Sequence, residues 1–142
     1  MNLTVSHLNK MRLPLLHNIY KENYPSGKPK GKEEILILED DKKIIGSVRI
    51  KTYQDCNFLT GMMIIENRRR KKLGNYFLKE IMTRIDNIQN CYCFCEPSLL
   101  SFYTQNHFII AESKFTPNVI RSKFERYSNS GKKLHILRYK KD

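Results

Sequence analysis

Residues Leu59–Ile88 constrain this chain more than any other stretch. Leu59 to Ile65 is a short, nearly continuous apolar run, as expected of a strand covered on both faces. Helical spacing takes over at Leu73, and Leu73, Phe77, Leu78, Ile81, Met82, Ile85 and Ile88 fall on one stripe. Between the two stand five consecutive cations, Arg68, Arg69, Arg70, Lys71 and Lys72, with Gly74 just beyond. The first turn of a helix carries unpaired N–H groups and a partial positive charge. A strand, basic loop and helix in succession therefore make an anion site, best suited to a phosphate or pyrophosphate. A cationic run is also commonly a solvated face, a localisation tag or a nucleic-acid patch. Tags lie in polar, flexible segments, whereas this run is clamped between two apolar ones, which favours the anion site.

The rest of the chain is consistent with one domain over residues 1–142. That length can bury roughly two-thirds of the unfolded surface. An apolar content of 40% with 11% aromatic residues argues against disorder. No apolar run approaches the roughly twenty residues of a membrane helix, so no membrane partner is expected. The N-terminal residues lack the apolar core and small-residue cleavage site of a signal peptide, so the cytoplasm is the expected location. Of the four cysteines, Cys91, Cys93 and Cys95 alternate with Tyr92 and Phe94 and so share one face of a strand. Neighbours two apart on a strand are badly placed to pair, and no zinc-ligand spacing accompanies them. They read as small buried hydrophobes, and no metal is expected. The formal charge of +12 marks a basic protein with an anionic partner.

In chain order, Asn2 to Leu8 alternates weakly as an edge strand, and Leu13 to Tyr24 reads as a helix with Pro14 in its first turn. Pro25 to Lys32 is a basic loop. Glu34 to Ile50 is the clearest hairpin, turning around Asp40 and Asp41. Gly46 inside its second arm suggests a bulge or a close backbone approach. Downstream of the organising unit come a strand over Asn90–Glu96, a short helix over Pro97–Gln105, a strand over Phe108–Ala111, a helix over Asn118–Asn129 and a last strand over Leu134–Tyr139. This order predicts a layered α/β (α+β) sheet.

Ile64 to Leu78, IIENRRRKKLGNYFL, resembles the acyl-CoA-binding motif of the GNAT superfamily of N-acetyltransferases, Q/R-x-x-G-x-G/A at the start of a helix. Arg69 takes the Q/R place and Gly74 the final G/A, while Lys72 stands where the middle glycine is usual. CEPSLLSFYTQNHF resembles a second segment of small members, roughly fY-x-x-x-GF. Tyr103 matches its tyrosine and Phe108 its phenylalanine; His107 replaces the glycine, and Glu96 sits where many relatives have asparagine. The element order also resembles the GNAT fold along nearly the whole chain. The resemblance implies a central mixed, mostly antiparallel sheet, splayed between its fourth and fifth strands, with helices on both faces.

It also implies a function: an acetyl-CoA-dependent N-acetyltransferase in which a primary amine attacks the thioester directly. Acetyl-CoA would be the co-substrate, and an amine the acceptor. The backbone of Met62, Met63 and Ile64 would hold the pantetheine arm by β-augmentation. Arg69, Arg70, Lys71, Lys72, Leu73, Gly74 and Asn75 would hold the pyrophosphate. Tyr103 is the matching position for a general acid, since a phenol carries its proton at neutral pH; without the resemblance it reads as a packed aromatic. The base is not legible. Glu96 is the best carboxylate by position, ahead of Asp55 and Glu112, and a water chain is an alternative. The acceptor pocket would be shaped by Tyr24–Glu33 and Tyr127–Lys133. An RNA-bound acceptor such as aminoacyl-tRNA, a non-catalytic module binding CoA or nucleic acid, and an acidic protein as second partner stay open, as do monomer and homodimer. If the loop needs a positive φ at Lys72, lysine costs stability or affinity there relative to glycine.

Overall fold

In the computed structural model of the chain, residues 1–25, 33–69, 72–86 and 88–141 are described. Among these residues seven strands form one open sheet: β1 (Leu3–His7), β2 (Glu34–Asp40), β3 (Lys43–Thr52), β4 (Asn57–Ile64), β5 (Cys91–Cys95), β6 (Phe108–Ile110) and β7 (His135–Tyr139), in the order β1-β2-β3-β4-β5-β7-β6. The pairs β1–β2, β2–β3, β5–β7 and β6–β7 are antiparallel. β4 and β5 are parallel and pair over Asn57, Phe58 and Leu59, after which β4 runs on to Ile64. Among the described residues the α-helices are α1 (Leu13–Asn23), α2 (Leu73–Met82), α3 (Leu100–Thr104) and α4 (Asn118–Asn129). The sheet is thus mixed and mostly antiparallel, as the resemblance to the GNAT fold implies. The chain divides into two compact units, one of residues 1–51 and 60–85, the other of residues 52–59 and 86–142.

In the first unit, β2 and β3 are covered rather than amphipathic: Ile35–Leu38 and Ile44–Val48 are buried without a break. Their two-residue turn is Asp41 and Lys42, both at positive φ (49° and 70°), the twist-matched turn of a tight hairpin. Gly46 meets both expectations placed on it. The register slips between Leu38 and Glu39, so that Leu38 faces Gly46 and Glu39 faces Ile44, a bulge. A Cβ on Gly46 would also lie 2.9 Å from Ile64 Cδ1 and 3.1 Å from the Met63 carbonyl oxygen. α1 buries Leu16 and Tyr20, and α2 buries Leu73, Phe77, Leu78, Ile81 and Met82.

α2 is shorter than its apolar stripe predicts. It stops at Met82, so Ile85 and Ile88 are not on it; Ile88 opens a separate 3-10 turn. The local cause is side-chain competition for backbone acceptors. Thr83 Oγ1 donates to the Glu80 carbonyl at 2.7 Å and Arg84 Nη1 to the same oxygen at 2.9 Å, while Arg84 N–H closes a tight turn on Ile81.

Asp40 ends β2 and ties two segments together. It accepts from the Asn2 N–H at 3.0 Å and from Arg68 Nη1 at 2.8 Å. The Arg68 hydrogen bond, then the Asn2 N–H, hold its carboxyl below the ordinary carboxylate range. A group depressed in the folded state contributes stability above its unfolded pKa of about 4, and loses it as pH falls through the lower folded value. Asp40→Asn is therefore expected to melt below the wild type at pH 7, with the two curves converging as pH falls below the ordinary carboxylate range. A melting difference that stays constant as pH falls would remove the Asp40 charge as the cause.

In the second unit, Phe58, Tyr92, Ile120 and Ile136 pack with Cys56, and Phe94 and Phe124 lie against them. Phe94 meets Phe58 edge-on at 4.8 Å and Phe124 at 5.6 Å. Cys56, Cys91, Cys93 and Cys95 are free thiols and all buried. Burial pushes the Cys91 thiol up to about 12 and raises Cys93 further from its ordinary value, so both stay protonated packing groups. The predicted helix over Pro97–Gln105 is a 3-10 turn, Pro97–Leu99, followed by α3.

Candidate functional site

In the first unit the site begins inside β4. Gly61 has φ +65°, and Met62 and Ile64 are half-buried while Met63 is buried. The strand ends where the Ile65 N–H donates to the Ile45 carbonyl at 2.9 Å. A 3-10 turn over Glu66–Arg68 follows. Two of the five cations are committed here to the protein itself. Arg68 pairs with Asp40. Arg69 donates from Nε to the Ile64 carbonyl at 2.8 Å and from Nη2 to the Asn23 carbonyl at 3.1 Å. Its own N–H goes to the Glu66 carbonyl. Asn23 closes the same knot by accepting the Glu66 N–H at 2.9 Å. Arg69 thus clamps the end of β4 to the C-terminal turn of α1, where a cation also complements the helix dipole. Arg70 and Lys71 lie outside the described residues, as do Ser26–Lys32 of the expected acceptor loop.

Lys72 is the N-cap of α2 and is left-handed, φ 60° and ψ 13°. The position where glycine is usual in the GNAT motif is therefore one that needs a positive φ. Among the described residues no side chain caps the helix, and its first turn holds no acidic residue. The N–H groups of Leu73 and Gly74 have no acceptor within the helix by its geometry. The start of α2, with no acidic residue in its first turn, is thus electropositive, which suits an incoming phosphate. Strain at a left-handed lysine costs about 1 kcal/mol. Lys72→Gly is expected to raise stability by about that much and to keep or improve affinity for acetyl-CoA. Calorimetry and thermal melting check both; a large loss of affinity would show the lysine to be a phosphate ligand.

In the second unit, Glu96 is exposed at the end of β5, and its carbonyl accepts the Leu99 N–H at 2.9 Å. Tyr103 on α3 is 8% exposed, with its ring edge-on to Phe102 (5.0 Å) and Phe108 (5.5 Å). His107 has φ +70°, so the second glycine position of the GNAT pattern is also left-handed here. Its carbonyl accepts the Lys140 N–H at 2.7 Å, which starts β6 against β7. Asp55 and Glu112 are both exposed.

Sequence reasoning did not find Tyr20, Asn23 or Gly61. Asn23 carries no periodic signal. A glycine inside an apolar strand run is a known mark of a bulge, and Gly61 was readable on that ground.

An open mixed sheet whose fourth strand runs through a left-handed cap into an uncapped helix defines a class of fold, and comparison with known proteins places the chain within it. The model of the acetyltransferase (GNAT) family matches residues 8–108. The chain belongs to that family, whose chemistry is acyl transfer. No curated protein sequence matches it. Among solved structures, it is similar to N-acetylglutamate synthase from Neisseria gonorrhoeae complexed with coenzyme A and N-acetyl-glutamate, with a TM-score of 0.74 and 16% identity. That match covers 99% of this chain and 36% of the synthase, so the chain spans about a third of the larger protein. PaiA N-acetyltransferase from Thermoplasma acidophilum, in complex with coenzyme A, matches at a TM-score of 0.70 and 15% identity over 99% of this chain and 100% of its own. The ribosomal-protein-S18-alanine N-acetyltransferase from Escherichia coli matches at 0.69 and 14%, over 96% and 92%. At these identities the likeness is one of fold.

Proposed function

We propose that this chain is an acetyl-CoA-dependent N-acetyltransferase acting on a primary amine by direct attack on the thioester, within a single domain. The observation that carries the reading is the junction of β4 with α2. A left-handed Lys72 stands at the motif's glycine position and delivers the chain into a helix whose first turn is uncapped and free of acidic residues. Lys72, Leu73, Gly74 and Asn75 would receive the pyrophosphate through backbone N–H groups, with Arg70 and Lys71 supplying charge. Arg69 acts differently from a phosphate ligand: its side chain is spent on the Ile64 and Asn23 carbonyls, and it shapes the loop.

Met62, Met63 and Ile64 would hold the pantetheine arm along their backbone, and an N–H near Ile64 would stabilise the developing oxyanion. As the C–N bond forms and the C–S bond breaks, Glu96, directly or through water, takes the amine proton and the Tyr103 hydroxyl protonates the departing thiolate. Coenzyme A bound in two of the structural neighbours and the N-acetyltransferase names of others support this assignment. The basic composition of Tyr24–Glu33 and Tyr127–Lys133 favours an acidic or phosphate-bearing acceptor.

The test is calorimetric binding of acetyl-CoA, with desulfo-CoA and ATP beside it, followed by a primary-amine screen for thiol release. Micromolar binding that depends on the pantetheine arm, with turnover on an amine, is the expected result. Equal binding of any polyphosphate would reduce the β4–α2 junction to an anion patch.

A further inference from the structure

Tyr20 lies in α1 with no exposed surface, and its hydroxyl donates to the Gly61 carbonyl at 2.5 Å. Gly61 is the left-handed residue of β4. A glycine at positive φ inside a strand breaks the pleat, and the following residues can be re-aimed there. The residues that follow are Met62, Met63 and Ile64. Their far end is anchored by the Ile65 N–H on the Ile45 carbonyl. Their near end is anchored by Tyr20. Burial pushes this phenol up to about 12, so it remains a donor throughout the working range.

We infer that Tyr20 is a positioning residue for the proposed transfer: its hydroxyl holds the Gly61 carbonyl, and thereby fixes the direction in which the backbone groups of Met62–Ile64 face. The inference rests on the reading of Met62–Ile64 as the strand that holds the thioester arm. Without the hydroxyl, the buried Gly61 carbonyl loses a hydrogen bond, and a strand that slips by one residue turns every following group to the opposite side. The pyrophosphate contacts at the start of α2 do not depend on that direction, so the two halves of coenzyme A should respond differently.

The experiment compares acetyl-CoA with 3′-phospho-ADP, its nucleotide half, as ligands of the wild type and of Tyr20→Phe. The wild type is expected to bind acetyl-CoA the more tightly. Tyr20→Phe is expected to lose about tenfold in acetyl-CoA affinity, the scale of one buried hydrogen bond, with 3′-phospho-ADP unchanged. Unchanged affinity for both ligands, or equal loss for both, overturns the inference, the second because it reports general loosening. Should Tyr20→Phe not fold, Gly61→Ala decides, since it strains the same left-handed position that the hydroxyl holds. Selective loss of acetyl-CoA supports the assignment, and a wild-type ratio of affinities overturns it. A wild type with no preference for acetyl-CoA is a different failure: it refutes the proposed function, and the inference falls with it.

Discussion

Tyr103→Phe is expected to lower turnover by about a hundredfold or more, the usual contribution of a positioned general acid. Affinity for acetyl-CoA should barely change, because the role proposed for the lost group is on the thiolate that forms only as the C–S bond breaks. The substitution is well suited to the question. Tyr103 is 8% exposed, and its ring packs edge-on against Phe102 and Phe108. Phenylalanine keeps that ring and those contacts, so a folded variant with altered chemistry is the expected product. Steady-state thiol release with an amine found in the screen gives kcat and KM, and calorimetry gives the acetyl-CoA affinity. Turnover equal to the wild type would return Tyr103 to the role its packing alone describes, an aromatic of the α3–β6 contact.

Gly46→Val is expected to destabilise the protein by about 3 kcal/mol, at the upper end of ordinary overpacking. For a chain of this size that is about 10 °C in melting temperature. The site is closed on three sides: a Cβ would meet Ile64 Cδ1 at 2.9 Å, the Met63 carbonyl oxygen at 3.1 Å and Leu38 Cβ at 3.3 Å. The Ile64 methyl can swing away, but the Met63 carbonyl belongs to the backbone of β4 and cannot move without it. Valine would therefore also displace the segment proposed to hold the pantetheine arm, and acetyl-CoA should bind more weakly to whatever fraction remains folded. Gly46→Ala should be milder in both respects. A melting temperature within a degree or two of the wild type (a change of about 0.5 kcal/mol) would show that β3 and β4 separate easily at this point.

The elements that could be read from the sequence are those with an unbroken period and a clear stop. α4 spans Asn118–Asn129 as its spacing predicts, and the two apolar arms form the β2–β3 hairpin, whose turn is Asp41 and Lys42 rather than the Asp40 and Asp41 that the sequence pattern suggests. Cys91, Cys93 and Cys95 are buried on β5 as their alternation suggests. The stripe through Ile88 overran α2 because apolar period says where a helix may bury a face, not where local hydrogen bonds end it. Thr83 and Arg84 end it at Met82 by taking the Glu80 carbonyl. The cationic run was legible as a cluster but not in its partners. Nothing near Arg68 or Arg69 in sequence announces Asp40, which is 28 residues from Arg68, or Asn23, which is 46 from Arg69.

The sequence by itself determined the order of strands and helices, the family, and the two motif positions at which Lys72 and His107 replace glycine. These depend on local period and on residue identity, both of which are written along the chain. Only the tertiary structure decided that both positions are left-handed, that Arg68 and Arg69 turn inward while α2 begins uncapped, and that Tyr20 holds the Gly61 carbonyl in mid-strand. Each of these joins residues far apart in the chain or states a backbone angle set by packing, and hydrogen bonds of that kind come into being only when the folded core brings their two ends together.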